Sequence, residues 1–190
     1  MTAQEEKLDL ATRLLTSGAI KVNPFSLNPW GITQKLSKLA VRCMLEKHRE
    51  IGSPFDAIAY ILGCGDVLAR EFSERTGKTV VSLSNRGDDE KPEFVLSSLV
   101  REDVHSVLLI DGCLCDESIM VAAVKFLDTM DIRVSCVSVI VDQESDSREE
   151  LSEWSTLLSV FQKSKLLGFY VSEGLIGPEH NAGPQLGLAA

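Results

Sequence analysis

Residues Val107–Ser118 read VLLIDGCLCDES, and this stretch decides the fold. Val107, Leu108, Leu109 and Ile110 form an apolar run too short for a helix, as a strand buried on both faces requires. Asp111 stands at its end, a short loop follows, and a helix opens at about Ser118. A second run, VSCVSVIV at Val134–Val141, is long and β-branched in the same way. Such strands alternating with helical stripes predict an α/β fold, with a central, mostly parallel sheet, flanking helices and right-handed crossovers. Ligands bind such sheets beyond the carboxyl ends of the strands, where helix N-termini favour anions. The position of the Asp111–Ser118 loop therefore suggests an anion pocket, yet Asp116 and Glu117 place two carboxylates inside it.

Outward from this stretch, Leu8, Leu10, Ala11, Leu14 and Leu15 follow a helical stripe that Gly18 terminates, and Ala19–Leu27 is extended or irregular around Pro24. A second helix spans about Leu36–Arg49 and is broken by Gly52-Ser53-Pro54. Asp56–Leu62 reads as a strand, Gly63-Cys64-Gly65 as a tight turn, Val67–Arg75 as a helix and Thr79–Leu83 as a strand. Ser84–Pro92 is a polar loop, and Glu93–Ser98 is a strand candidate. Ile119–Met130 reads as a helix, Glu149–Val160 as another, and Lys165–Val171 as a last strand. The pattern describes one domain over residues 1–172 and an irregular or disordered tail over 173–190.

The chain has 190 residues, 44% apolar and 25% charged, enough for one core without metals or disulfides. Its net charge of −9 argues against nucleic acid and against anionic membrane as partners. No run approaches the ~20 apolar residues of a membrane span. The acidic, amphipathic N-terminus resembles neither a secretory signal nor a transit peptide, so the cytoplasm is the expected compartment. Cys43, Cys64, Cys113, Cys115 and Cys136 are odd in number and scattered, which fits a reducing environment.

Four segments, in this order, resemble the type I phosphoribosyltransferases, and among them the orotate phosphoribosyltransferases of pyrimidine synthesis. LLTSGAIKVNPFSL (Leu14–Leu27) is similar to their N-terminal segment, FDAIAYILGCGDVLA (Phe55–Ala69) to the strand–turn–helix that meets pyrophosphate, VLLIDGCLCDES to the ribose-phosphate loop, and VSVIVDQE (Val137–Glu144) to the strand beside the orotate site. The resemblance implies a small hood formed by about residues 1–35 and the C-terminal part, a homodimer, and 5-phosphoribosyl diphosphate (PRPP) with Mg2+ as ligand. It also implies a phosphate loop of Asp111, Gly112, Cys113, Leu114, Cys115, Asp116, Glu117 and Ser118, a pyrophosphate turn of Gly63, Cys64 and Gly65, and a base site with remnants Asp142, Lys21 and Phe25.

The departures from the family alter the phosphate loop and remove most of the cations around it. Gly112 takes the place of the second loop acid, and Cys115, Asp116 and Glu117 replace the Thr-Thr-Gly cradle. Unit charges ~4 Å apart repel by about 1 kcal/mol even in water, and by more in a partly dry loop. Asn28 replaces a lysine, Ser84-Asn85 an Arg-Lys pair, and Gln143 an arginine. The catalytic loop shrinks to RGDDEKP, leaving Arg86 and Lys91 as its cations. Asp111, Lys91 and Arg86 are the weak catalytic candidates that remain.

Each motif has a structural alternative. Asp111 either holds ribose hydroxyls or a metal, or caps a strand end. Gly63 and Gly65 form either an anion-binding nest or a turn with unusual dihedrals. Cys64, Cys113 and Cys115 either converge on a metal or redox site or are buried structural residues, and Cys-x-Cys lacks the usual zinc spacing. His48 and His105 read as surface residues, and Trp30 and Trp154 as packing anchors. Two functional expectations result. The first is a pseudoenzyme that binds a nucleotide-like ligand, a protein partner or an active relative, with no metal of its own. The second is a working Mg2+-dependent transferase that joins PRPP to orotate or another base.

Overall fold

The computed structural model describes residues 2–28, 31–63, 65–88, 91–114, 117–144 and 148–181. Its strands are β1 (Ile20–Val22), β2 (Phe25–Leu27), β3 (Ala57–Ile61), β4 (Thr79–Asn85), β5 (Phe94–Leu96), β6 (Ser106–Leu114), β7 (Arg133–Asp142) and β8 (Thr156–Gln162). Its helices are α1 (Ala3–Thr16), α2 (Gln34–Ile51), α3 (Gly65–Thr76), α4 (Glu117–Asp128), α5 (Arg148–Trp154) and α6 (Lys163–Ser172). Six strands form one sheet in the order β5-β4-β3-β6-β7-β8, parallel except for the antiparallel β4–β5 hairpin. Strands β1 and β2 form a separate antiparallel hairpin through a cis Asn23–Pro24 bond.

Alternation along the central strands creates two cores. Leu108 and Ile110 face a cluster that includes Leu10, Leu14, Leu36, Phe72 and Tyr170. Val107 and Leu109 face a second cluster with Val124, Leu127, Val137 and Leu151. Local signals set the helix ends. Thr2 and Glu5 form a capping box at the start of α1, and Gly52, at φ 63°, closes α2 in the left-handed conformation that suits glycine. At the other end of the sheet, Asp56 accepts hydrogen bonds from the backbone N–H groups of His105 (3.1 Å) and Ser106 (2.9 Å), which fixes the start of β6.

Three expectations from the sequence are corrected. The helix expected over Glu149–Val160 ends at Trp154, and its second half belongs to edge strand β8, paired with β7 from Cys136↔Thr156 to Asp142↔Gln162. The strand expected over Lys165–Val171 is helix α6, which buries Leu166, Leu167 and Tyr170. Short apolar runs such as LLSVF and LLGFYV suit either geometry, and neighbouring elements decide between them. His48 is not a surface residue. It is only 9% exposed and packs edge-on against Phe55, with ring centroids 5.0 Å apart. The tail begins with a 3-10 turn at Pro178–Asn181, and residues 182–190 lie outside the described residues.

Helix α6 is anchored by the fully buried Tyr170, whose hydroxyl donates to the Ala11 carbonyl of α1 at 2.8 Å. Tyr170→Phe leaves that carbonyl unpartnered by Tyr170 and is expected to cost about 1–2 kcal/mol, read as a lower urea midpoint with unchanged slope.

Candidate functional site

The carboxyl edge of the sheet gathers the segments that the sequence singled out. After β3 the chain turns at Gly63, whose φ of 140° excludes ordinary side chains. Gly65 then opens α3 against the sheet, where an added Cβ would lie 2.9 Å from the Ile110 carbonyl oxygen and 3.0 Å from Tyr60 Cβ. Backbone geometry and close packing therefore account for both glycines without a ligand. Cys64, between them, lies outside the described residues. The contact nevertheless sets this turn beside β6, one residue before Asp111.

Strand β6 continues past the point where the sequence placed its end. Asp111 pairs with Val139, Cys113 with Val141 and Leu114 with Asp142, so Asp111 is inside the strand and not at its end. The physical reason is the length of β7, whose ten residues supply a buried, β-branched partner through Asp142. Asp111 as a whole keeps some exposed surface, but its carboxyl is desolvated. That burial pushes its pKa up to about 6, although the Gly112 N–H donates to it at 2.6 Å and pulls the other way. Gly112 and Cys113 are buried in the same strand. Cys115 and Asp116 lie outside the described residues, so the cysteine and acidic expectations there are not placed. Helix α4 begins at Glu117, with an exposed Ser118 in its first turn.

Beyond β7, the fully buried Asp142 accepts a hydrogen bond from the Glu144 N–H at 2.8 Å. The Gln143 amide donates to Cys113 Sγ at 3.5 Å, which joins the ends of β6 and β7. Glu144 adopts φ 59° and accepts from both the N–H (2.7 Å) and the hydroxyl (3.0 Å) of Ser164 at the start of α6. The neighbouring Lys163 ammonium lies 5.4 Å from the centroid of the Phe25 ring. Phe25 is thus brought to the same end of the molecule as the Asp142 loop. Lys21 sits opposite Ser26 in the hairpin and is exposed. Glu144 and Lys163 were not singled out in the sequence, because their partners are 20 and 138 residues away and carry no periodic signal.

The shortened polar loop is closed on itself. The Arg86 N–H donates to the Glu93 carbonyl at 2.8 Å, and the Asn85 side chain accepts from the Gly87 and Glu93 N–H groups at 3.0 Å each. Asp88 accepts from the Lys91 N–H at 2.7 Å. Arg86 and Lys91 are both exposed, and among the described residues neither forms an ion pair with Asp111.

A Mg2+–pyrophosphate centre needs adjacent oxygen ligands and concentrated positive charge. Asp111 is followed by Gly112 rather than a second acid, and among the described residues there is no cluster of three His, Cys, Asp or Glu side chains that could bind a metal. Cys113 and Cys136 are buried, and burial pushes the Cys136 thiol up to about 12. No helix among the described residues is long and apolar enough to cross a membrane.

No family model and no curated protein matches the sequence. Solved structures do match the fold. Leishmania donovani UMP synthase superposes with TM-score 0.73 at 16% identity, over 92% of this chain and 40% of its own. The present chain thus spans well under half of that protein. Orotate phosphoribosyltransferase from Aeropyrum pernix gives 0.68 at 16% identity, over 88% and 99% of the two chains. Adenine phosphoribosyltransferase from Thermoanaerobacter pseudethanolicus gives 0.61 at 15%, over 73% and 88%. The chain has the type I phosphoribosyltransferase fold.

The raised Asp111 pKa has a definite sign in stability. Its contribution is fully present below about pH 4 and is lost as pH rises through about 6, because ionisation is harder in the folded state. Asp111→Asn, which does not titrate, is expected to gain on the parent between pH 4 and pH 7, by as much as about 3 kcal/mol, in paired urea titrations.

Proposed function

We propose that this phosphoribosyltransferase-fold chain has lost most or all transferase chemistry and acts by binding, either a nucleotide-like ligand or a protein partner. The observation that carries the reading is the charge pattern: the acids Asp116 and Glu117 stand where the resemblance puts a neutral cradle, and Asn28, Ser84, Asn85 and Gln143 where it puts cations. A phosphate cradle is built from free backbone N–H groups and hydroxyls in a loop. The resemblance puts that cradle at Cys115, Asp116 and Glu117, directly after the part of β6 that is paired with β7 through Leu114. The two acids there, Asp116 and Glu117, oppose a phosphate. The exposed hairpin cations Arg86 and Lys91 do not replace the missing charge. Mg2+ enters this reading only as the companion of PRPP. A homodimer, as in the resemblance, or a pairing with an active relative would supply the protein partner.

Titration calorimetry with PRPP–Mg2+, followed by orotate in the same cell, tests the proposal. No saturable heat at millimolar ligand is expected, and no nucleotide product. Micromolar binding followed by turnover would overturn it in favour of a working transferase. Asp116→Thr with Glu117→Gly is expected not to restore PRPP binding, because Asn28, Ser84, Asn85 and Gln143 still supply no positive charge.

A further inference from the structure

An open groove of about 450 Å3 lies along edge strand β8, lined by residues of α1, β8 and α6 and by Lys47 of α2, and none of Asp111, Asp142, Glu144 or Lys163 lines it. Three lysines from three different helices converge there: Lys7 from α1, Lys47 from α2 and Lys165 from α6. Lys47 pairs with Glu50 at 2.9 Å, but Lys7 and Lys165 form no ion pair among the described residues. Lys7 holds its proton less tightly than an ordinary lysine, first because it is partly buried and then because of Lys47, with Lys165 adding to the effect and Cys43 and Glu50 opposing it. In a chain of net charge −9, this is a local concentration of positive charge in a concave site.

The remaining walls are apolar. Leu8, Ala11, Phe161, Leu166 and Phe169 line the cavity, and the Lys7 ammonium lies 5.4 Å from the Phe161 ring centroid. A cationic pole on an apolar wall matches a ligand with an anionic head and a flat apolar body. Pockets of ~300–1,000 Å3 are the usual size for small organic ligands. Strand β8 is the last in the sheet and has no strand on its outer side among the described residues, so an added peptide strand is the competing occupant. The concave shape and the lysines contributed by three helices favour the small molecule.

We propose that this groove binds a small organic anion, a phosphate or carboxylate on a flat apolar body, through Lys7, Lys47 and Lys165. The site is independent of the PRPP question, since it shares no residue with the carboxyl-edge turns.

The probe is 1-naphthyl phosphate, with 1-naphthol and inorganic phosphate as its apolar and anionic halves. Amide NMR shifts of the full chain report where each binds. The expected result is one saturable site that shifts Ala11, Phe161 and Leu166, with each half-probe weaker by at least about tenfold. Lys7→Met with Lys165→Met is expected to weaken binding by about tenfold or more with an unchanged urea midpoint, and the single exposed Lys165→Glu serves should the double variant misfold. Three outcomes would overturn the proposal: no shift in the groove, equal affinity for naphthol, or a shift at Gly63 and Gly65 in its place. Strand addition by an acidic peptide with no response to naphthyl phosphate would overturn it too. Loss of groove binding leaves the calorimetric result with PRPP untouched, so the two readings fail separately.

Discussion

The rest of the structure depends on the burial of β6 on both of its faces. Val107, Leu108, Leu109 and Ile110 are each fully buried, alternately in one core and the other. Burying a side chain of this kind is worth about 1.5–3 kcal/mol, so four in succession hold the strand firmly in the middle of the sheet. A strand with no water on either face must satisfy its backbone groups through its neighbours. Strand β3 does so on one side and β7 on the other. Because β7 is longer than β3, the pairing with β7 continues through Leu114 after the pairing with β3 has stopped at Ile110.

That mismatch shapes the carboxyl edge. Residues Asp111–Leu114 are held as strand, and Asp111 lies inside it, where its carboxyl loses water. Gly65 presses α3 onto the Ile110 carbonyl at the same level, so the neighbouring turn is set by packing as well. Electrostatics point the same way. The Asp111 carboxyl at this edge is costly to ionise, and Arg86 and Lys91 in the β4–β5 hairpin are exposed and engaged, through their backbones, in closing that hairpin.

The C-terminal helix gives the molecule its second centre of organisation. Helix α6 is tied to the β7 loop by Glu144 and Ser164, to the N-terminal hairpin by Lys163 and Phe25, and to α1 by Tyr170. Docking α6 and α1 beside the unpaired edge of β8 leaves the lysine-lined cavity between them. Its three cations lie 40 and 118 residues apart in sequence, and only the packing of three helices on one edge brings them together.

What the sequence determined by itself is the fold class, the central strands and the order of elements, because buried parallel strands must be apolar at every position and helices must show a stripe. It also determined that Asn28, Ser84, Asn85 and Gln143 carry no positive charge, since charge is a property of residue type. Tertiary structure decided the rest. LLSVF became an edge strand because β7 offered a free side, and LLGFYV became a helix because α1 offered Tyr170 a carbonyl and a dry surface. The last residue of β6 was set by the length of its neighbour, which the residues of β6 do not encode. The links from Glu144 to Ser164 and from Lys163 to Phe25, like the convergence of Lys7, Lys47 and Lys165, join distant positions through side chains whose local patterns read only as solvated surface.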